Sequence, residues 1–148
     1  MQGALEVEIS EDVILKDADG VVERLMLLKE RGISVAVDDF GTGHSSLSHL
    51  HRLPIDALKI DRSFVRDIDA GGGTLVNAIV AMARGLGMNV IAEGVESAMQ
   101  VEYLLERECD VMQGFLIGRP MAAGDAGRLF TPSPSRVASV RRANAVAR

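Results

Sequence analysis

The sequence predicts an α/β fold: a partial (β/α)8 TIM-type barrel of about five βα units with parallel strands. Three observations lead there. Short apolar runs alternate with stretches of helical periodicity, the pattern of parallel strands joined by helical crossovers. The apolar runs are nearly continuous, as strands covered on both faces must be. Successive runs also end in polar residues, in "EISE", "VDD", "KID" and "AEG", and Gln113 follows in "MQGF". Ligands of parallel α/β folds sit at the carboxyl ends of the strands. Residues from five successive strands converge there only if the sheet curls, which favours a barrel wall over a flat doubly wound sheet. A complete barrel takes about 250 residues, against 148 here.

"ALEVEIS" reads as the first strand, and "DGVVERLMLLKERG" as a helix with Val22, Leu25, Met26 and Leu28 near helical spacing and Gly32 as its stop. "ISVAV" is a fully apolar second strand, followed by a short helix, "SSLSHLHRL", capped by Ser45 or Ser46. "IDALKI" is the third strand. "TLVNAIVAMARGLG" is a helix that starts at Thr74 and closes at Gly87. "NVIA", "SAMQVEYLLEREC" and "DVMQGFLI" read as strand, helix and fifth strand, and "AGDAGRLF" as a closing helix. Residues 1–130 are thus expected to form the truncated barrel domain. Residues 131–148, rich in Ser, Pro and Arg, read as a disordered basic tail.

Composition excludes several classes. No run approaches the 18 apolar residues of a membrane span and no secretory signal opens the chain. A single cysteine, Cys109, forms no internal disulfide and suits a reducing, cytoplasmic location. The net charge of −5 hides an asymmetry. The last 18 residues hold four arginines and no acid, which leaves 12 basic against 21 acidic residues in the first 130, a net of −9. A body that acidic does not bind DNA or RNA through its phosphates, and an anionic ligand would need metal ions between.

Glu8, Asp38, Asp39, Lys59, Glu93 and Gln113 all map to one rim. Carboxylates without His or Cys suit hard cations such as Mg2+ or Mn2+. Asp38 and Asp39 point to opposite faces if the strand is regular, but at a strand end the second can turn back, so that one bridges two ions and the other holds one. Two such ions serve in-line attack of water on phosphorus. Lys59 offers a fixed positive charge to orient that water or steady a phosphoryl oxygen. Plainer readings stand beside these: a solvated loop start for "DD", a structural Lys59–Asp61 ion pair, and Glu93 and Glu96 as helix caps. His44, His49 and His51 share no ligand-like spacing with an acid or thiol. "GGGT", residues 71–74, lacks the Gly-Lys-Ser/Thr ending of a phosphate loop. Met82, Met88, Met99, Met112 and Met121 read as core filler.

Together, "VEISE", "VDDFGTGHSSL", "LPIDALKIDRSFV", "VIAEGVES" and "MQGFLIGRP" resemble, in order and spacing, the EAL-domain family. These are Mg2+- or Mn2+-dependent phosphodiesterases of bacterial signalling, with a modified (β/α)8 barrel, that open cyclic di-GMP to linear pGpG. The resemblance covers roughly residues 5–130. It implies metal ligation by Glu8, Asp38, Asp39 and Glu93, with Asp38 bridging two metals. It implies Lys59 as the catalytic lysine on the nucleophilic water, with Glu93 and Gln113 beside that water and Glu96 as a further acid. Glu11 would steady the loop that carries Gly41, Thr42 and Gly43.

Departures from the pattern are equally specific. The family's Glu-Ala-Leu segment and its first-metal asparagine have no counterpart here, since "GAL" at residues 3–5 runs straight into the "VEISE" strand. The first of two metal sites is therefore expected to be incomplete. His44 stands where the family usually has Tyr. The sequence thus predicts a portion of a longer phosphodiesterase, weak or inactive in isolation, completed by the missing barrel half or paired as a homodimer. A degenerate module that binds cyclic di-GMP or a protein partner is the alternative.

Overall fold

The structure, a computed structural model, describes residues 5–16, 18–41 and 50–129. The chain falls into two compact units, Met1–Gly118 and Arg119–Arg148. In the first, strands β1 (Glu6–Ser10), β2 (Ser34–Phe40), β3 (Ala57–Ile60), β4 (Asn89–Ala92) and β5 (Val111–Met112) alternate with helices. These are α1 (Glu11–Lys16), α2 (Ala18–Glu30), α3 (Arg62–Asp67), α4 (Thr74–Gly85) and α5 (Ala98–Glu106). Of the second unit, helix α6 (Ala123–Leu129) is described. No helix among the described residues is long and apolar enough to cross a membrane.

All four strand pairings are parallel, and the strands lie side by side in chain order. A doubly wound sheet reverses its order at a switch point; this sheet never does, so it is built as a stretch of barrel wall. Alternation along the strands sends Val35, Val37, Leu58, Ile60, Val90 and Ala92 to one face, where all six are fully buried. They pack into one core with Leu25 of α2, Val65 of α3, Val76, Ile79, Val80 and Ala83 of α4 and Leu104 of α5. Each such side chain contributes roughly 1.5–3 kcal/mol on burial. The helical spacing of the α4 set, i, i+3, i+4 and i+7, is what turns that helix's apolar stripe onto the sheet. On the opposite sheet face Ala36, Ala57 and Ile91 form a separate, small cluster.

The strand starts are clipped by acids. Asp56, just before β3, accepts the Val35 amide through Oδ2 at 2.8 Å and pairs with Lys29. Asp110, just before β5, accepts the Val90 amide at 2.8 Å. Both lie at the end of the sheet remote from the polar rim.

The structure departs from the expected elements in four places. α1 follows β1 with no glycine or proline between, and six residues are too few for a periodic signal. α3 is equally short, with Val65 as its buried residue and Asp61 capping its Ser63 amide at 2.9 Å. β5 pairs over two residues instead of eight: the Gln113 amide and carbonyl serve Ala92 and Val95, and Gly114 then takes the Ile117 and Gly118 amides in a turn. Met88 is buried and Met82 and Met112 pack against the core, but Met99 and Met121 are exposed rather than filler. The helix expected over "SSLSHLHRL" lies largely outside the described residues; Leu50 is helical and buried.

Candidate functional site

The alternation that buries Val35, Leu58 and Val90 under the helices carries Ala36 and Asp38, Ala57 and Lys59, and Ile91 and Glu93 to the other face. Register sets Glu8 beside Ala36 and Ser10 beside Asp38. On this face the apolar residues stand near the strand starts and the charged ones at the carboxyl ends.

Lys59 is the centre of the charged layer, and it is 4% exposed. Its Nζ stands 2.6 Å from Glu93 Oε1, 2.8 Å from Glu8 Oε1 and 3.0 Å from Asp38 Oδ1. Strands β1, β2 and β3 and the end of β4 thus meet at one amino group, a convergence that a curled sheet permits. Burial alone would lower the Lys59 pKa, but the Glu8, Glu93 and Asp38 carboxylates outweigh it and hold the ammonium above the usual lysine range. Lys59 is therefore a fixed cation at neutral pH, suited to orienting a group and unsuited to abstracting a proton. It does not pair with Asp61, which caps α3 instead.

Asp39 does turn back to the rim. Its φ is +52° and the β2–β3 register slips between Val37 and Phe40, so the strand breaks its alternation at this residue. Asp39 is exposed, yet lost solvation, then the Asp38 and Asp61 carboxylates, push its pKa up. Burial would raise Asp61 as well, but the Ser63 hydroxyl and the Ser63 and Arg62 amides hold it below the usual range.

One carboxylate oxygen each from Asp38, Asp39 and Glu93 lie within 4.8 Å of one another. All three donors are hard oxygens, and Asp38 Oδ1 is buried, with the Lys59 ammonium at 3.0 Å as its contact among the described residues. That donor set fits a divalent cation such as Mg2+ or Mn2+.

The remaining candidates lie around this cluster. Glu11 is buried; its Oε2 accepts the Gly41 amide at 3.3 Å, and its Oε1 has no partner among the described residues. It thus reaches the first residue of the loop after β2, whose Thr42 and Gly43 lie outside the described residues, as do His44 and His49. His51 is exposed. Gln113 is exposed and lines, with Glu93, Glu96, Arg62, Gly94 and Phe115, a cleft of about 210 Å3. Glu96 is exposed too, and neither it nor Glu93 caps α5; that cap is Ser97, boxed with Gln100. Two residues near the rim carry little signal in the sequence. Asp61, two residues after Lys59 at a strand end, stands on the same rim, where an ion pair with Lys59 is one expectation for it. Gln100 looked like one more polar residue of a helix, and only its burial marks it out.

The family model described as "EAL domain" matches residues 2–120. The cyclic di-GMP phosphodiesterase NbdA of Pseudomonas aeruginosa is 47% identical over 119 residues, 79% of this chain and 15% of NbdA. The bifunctional diguanylate cyclase/cyclic di-GMP phosphodiesterase MucR of the same organism is 45% identical over 121 residues, 80% of this chain and 18% of MucR. Among solved structures, the PaMucR phosphodiesterase in its c-di-GMP complex superposes with a TM-score of 0.78 at 43% identity, over 82% of this chain and 50% of that one. The EAL domain of Mycobacterium smegmatis DcpA gives 0.80 at 40% identity, over 87% and 59%. The chain therefore spans under a fifth of these curated relatives and 50% and 59% of these solved chains.

Proposed function

The chain belongs to the EAL domain family, and from that premise we propose that its rim is the second-metal half of a cyclic di-GMP phosphodiesterase site, working within a longer domain. The observation that carries this reading is the meeting of Glu8, Asp38 and Glu93 on the buried Lys59 ammonium, with Asp39 turned back beside them. Relatives named as cyclic di-GMP phosphodiesterases, and a neighbour solved with c-di-GMP, support the substrate.

Asp38, Asp39 and Glu93 would hold the ion, with Glu8 on its flank. Bound there, Mg2+ or Mn2+ supplies a polarised phosphoryl oxygen and a water acidified for attack. Lys59, as a positive charge beside them, would fix the water's direction and offset charge on the phosphoryl oxygens. Gln113, which lines the same cleft as Glu93, would accept or donate a hydrogen bond to the same water. In such a site the water oxygen would attack phosphorus in line as the bond to the 3′-oxygen breaks, the proton lost by the water would end on that leaving oxygen, and linear pGpG would result. Glu11, through the Gly41 amide, ties the loop after β2 to the α1 start and so to this rim.

One observation favours a second reading. The buried Lys59 ammonium is a fixed cation held by Glu8, Asp38 and Glu93, which also suits a module that binds the anionic cyclic di-GMP without cleaving it. The test is pGpG formation, followed by chromatography, from the 148-residue chain and from the same chain joined to the upstream part of an EAL barrel. We expect turnover from the joined form, reduced roughly 100-fold or more by Lys59→Ala, and little from the chain alone. A folded joined form that binds cyclic di-GMP and releases no pGpG leaves the binding reading in its place.

A further inference from the structure

Glu93 reaches the rim from an irregular segment, residues 93–97, between β4 and α5. Its contacts with neighbouring elements include the following. The Glu93 amide donates to the Ile60 carbonyl at 3.1 Å, and the Val95 amide to the Gln113 carbonyl at 3.0 Å. The Glu96 and Ser97 amides both donate to Gln100 Oε1, at 2.7 and 3.1 Å. Gln100 comes back onto this segment from the first turn of α5, and its side chain is 2% exposed.

A capping box accounts for part of this. It requires the Gln100 amide on Ser97 Oγ and the Ser97 amide on Gln100 Oε1, and both are present. It does not require the Glu96 amide on the same oxygen, nor what happens at the other end of the amide group. Gln100 Nε2 donates to Asp69 Oδ2 at 2.7 Å, and Ser97 Oγ donates to Asp69 Oδ1 at 2.8 Å. Asp69 sits in the 3-10 turn Ile68–Ala70 that closes α3, the helix that leaves the Lys59 strand. A bidentate carboxylate therefore ties the Lys59 unit to the segment that delivers Glu93. Gly94 shows how close the two approach. Its φ is +67°, and a Cβ there would stand 2.5 Å from Arg62 Cβ at the start of α3.

We propose that Asp69 and Gln100 are positioning residues, which set where Glu93 presents its carboxylate to Lys59 and to the ion. Among the described hydrogen bonds and ion pairs, neither reaches Lys59 or the Glu93 carboxylate. The inference rests on the reading of Glu93 as a metal ligand given above. Partners outside a metal's own ligands typically change affinity 10–100-fold when removed.

Gln100→Glu separates this role from capping. Glutamate serves a capping box as well as glutamine, and still accepts the Glu96 and Ser97 amides, but it faces Asp69 with like charge and no donor. Adding Asp69→Asn returns a donor to that contact and keeps an acceptor for the Ser97 hydroxyl, so the double variant restores every hydrogen bond of the clamp. The test is Mn2+ titration of the full chain, read by the electron paramagnetic resonance of free Mn2+. It is run alongside amide exchange of peptides spanning residues 93–97. We expect Gln100→Glu to weaken Mn2+ about tenfold and to speed exchange at Glu96 and Ser97. The double variant should return both to near the parent values.

Unchanged affinity and exchange in Gln100→Glu would overturn the proposal, as would a double variant as impaired as the single one. Glu93→Gln tells this failure from that of the site. If that variant binds Mn2+ as the parent does, Glu93 is no ligand, and the site reading and the proposal fall together.

Discussion

Lys59 Nζ and Glu93 Oε1 stand 2.6 Å apart across neighbouring strands, and the same ammonium is held by Glu8 and Asp38. The lysine is the only cation in contact with these three acids among the described ion pairs, so the cluster depends on it. With Lys59→Met, the three carboxylates keep only one another. Breaking a buried ion pair costs about 3–5 kcal/mol. These acids are partly solvated, Glu8 about half, so a loss of about 1–3 kcal/mol is expected in urea unfolding at neutral pH. Millimolar Mg2+ or Mn2+ should recover part of it by giving the acids another cation. A variant as stable as the parent, and indifferent to metal, would mean that the cluster is not electrostatically coupled.

Gly114→Ala is expected to be among the most damaging single-methyl changes in the chain. A Cβ at this position would lie 2.2 Å from both the nitrogen and the oxygen of Val95, main-chain atoms with nowhere to move. Relief requires the Gln113–Gly114 strand end to leave the Glu93–Val95 segment, which breaks the Val95 amide bond to Gln113 and the Leu116 amide bond to Val95. More than about 2 kcal/mol should be lost on thermal unfolding, and Mn2+ binding through Glu93 should weaken with it. A fully stable variant would show that this contact opens freely.

Most of the rim was legible because one-dimensional rules governed it. Glu8, Asp38, Lys59 and Glu93 share a face by the two-residue period of the strand, and each stands in the carboxyl-terminal part of its strand or just beyond it. Asp39 was legible as a possibility only, since its return to the rim depends on a positive φ and a register slip that no local pattern encodes. The short elements were not legible. α1 and α3 have six residues each, and the cut of β5 at Met112 is imposed from outside, by the backbone of Val95 against Gly114. Gln100 and Asp69 escaped for a similar reason. They lie 31 residues apart, and what makes them matter is a contact between two βα units.

Asp56 and Asp110 should behave as stability residues and nothing more. Each accepts the amide of a strand's first buried valine, Val35 and Val90, at the end of the sheet away from Lys59. Asp56→Ala or Asp110→Ala leaves that amide without its partner, at a cost of about 1–3 kcal/mol. Asp56→Ala also removes the Lys29 pair, which adds little at a half-exposed position. Urea unfolding should show the loss while Mn2+ affinity stays within about twofold, because the strands stay paired at the rim. A large fall in affinity with little change in stability would mean that the two ends of the sheet are coupled.

Cys109 offers a single-site probe of the sheet edge, since the chain has no other cysteine. Its side chain is buried, and burial pushes the thiol pKa up, with Sγ near the Val90 and Val111 carbonyls. The thiolate is the reactive form, so at pH 8 the folded protein should react with a disulfide reagent far more slowly than the chain in guanidinium, which should consume one equivalent at once. The residual native rate then reports opening, and β5 is the element to open first. It pairs over two residues and lies at the outer edge, while β4 is paired on both sides. Labelling should therefore outrun global unfolding and should rise further in Gly114→Ala. Prompt, stoichiometric reaction of the parent protein in native buffer would show instead that the β4–β5 edge is open most of the time.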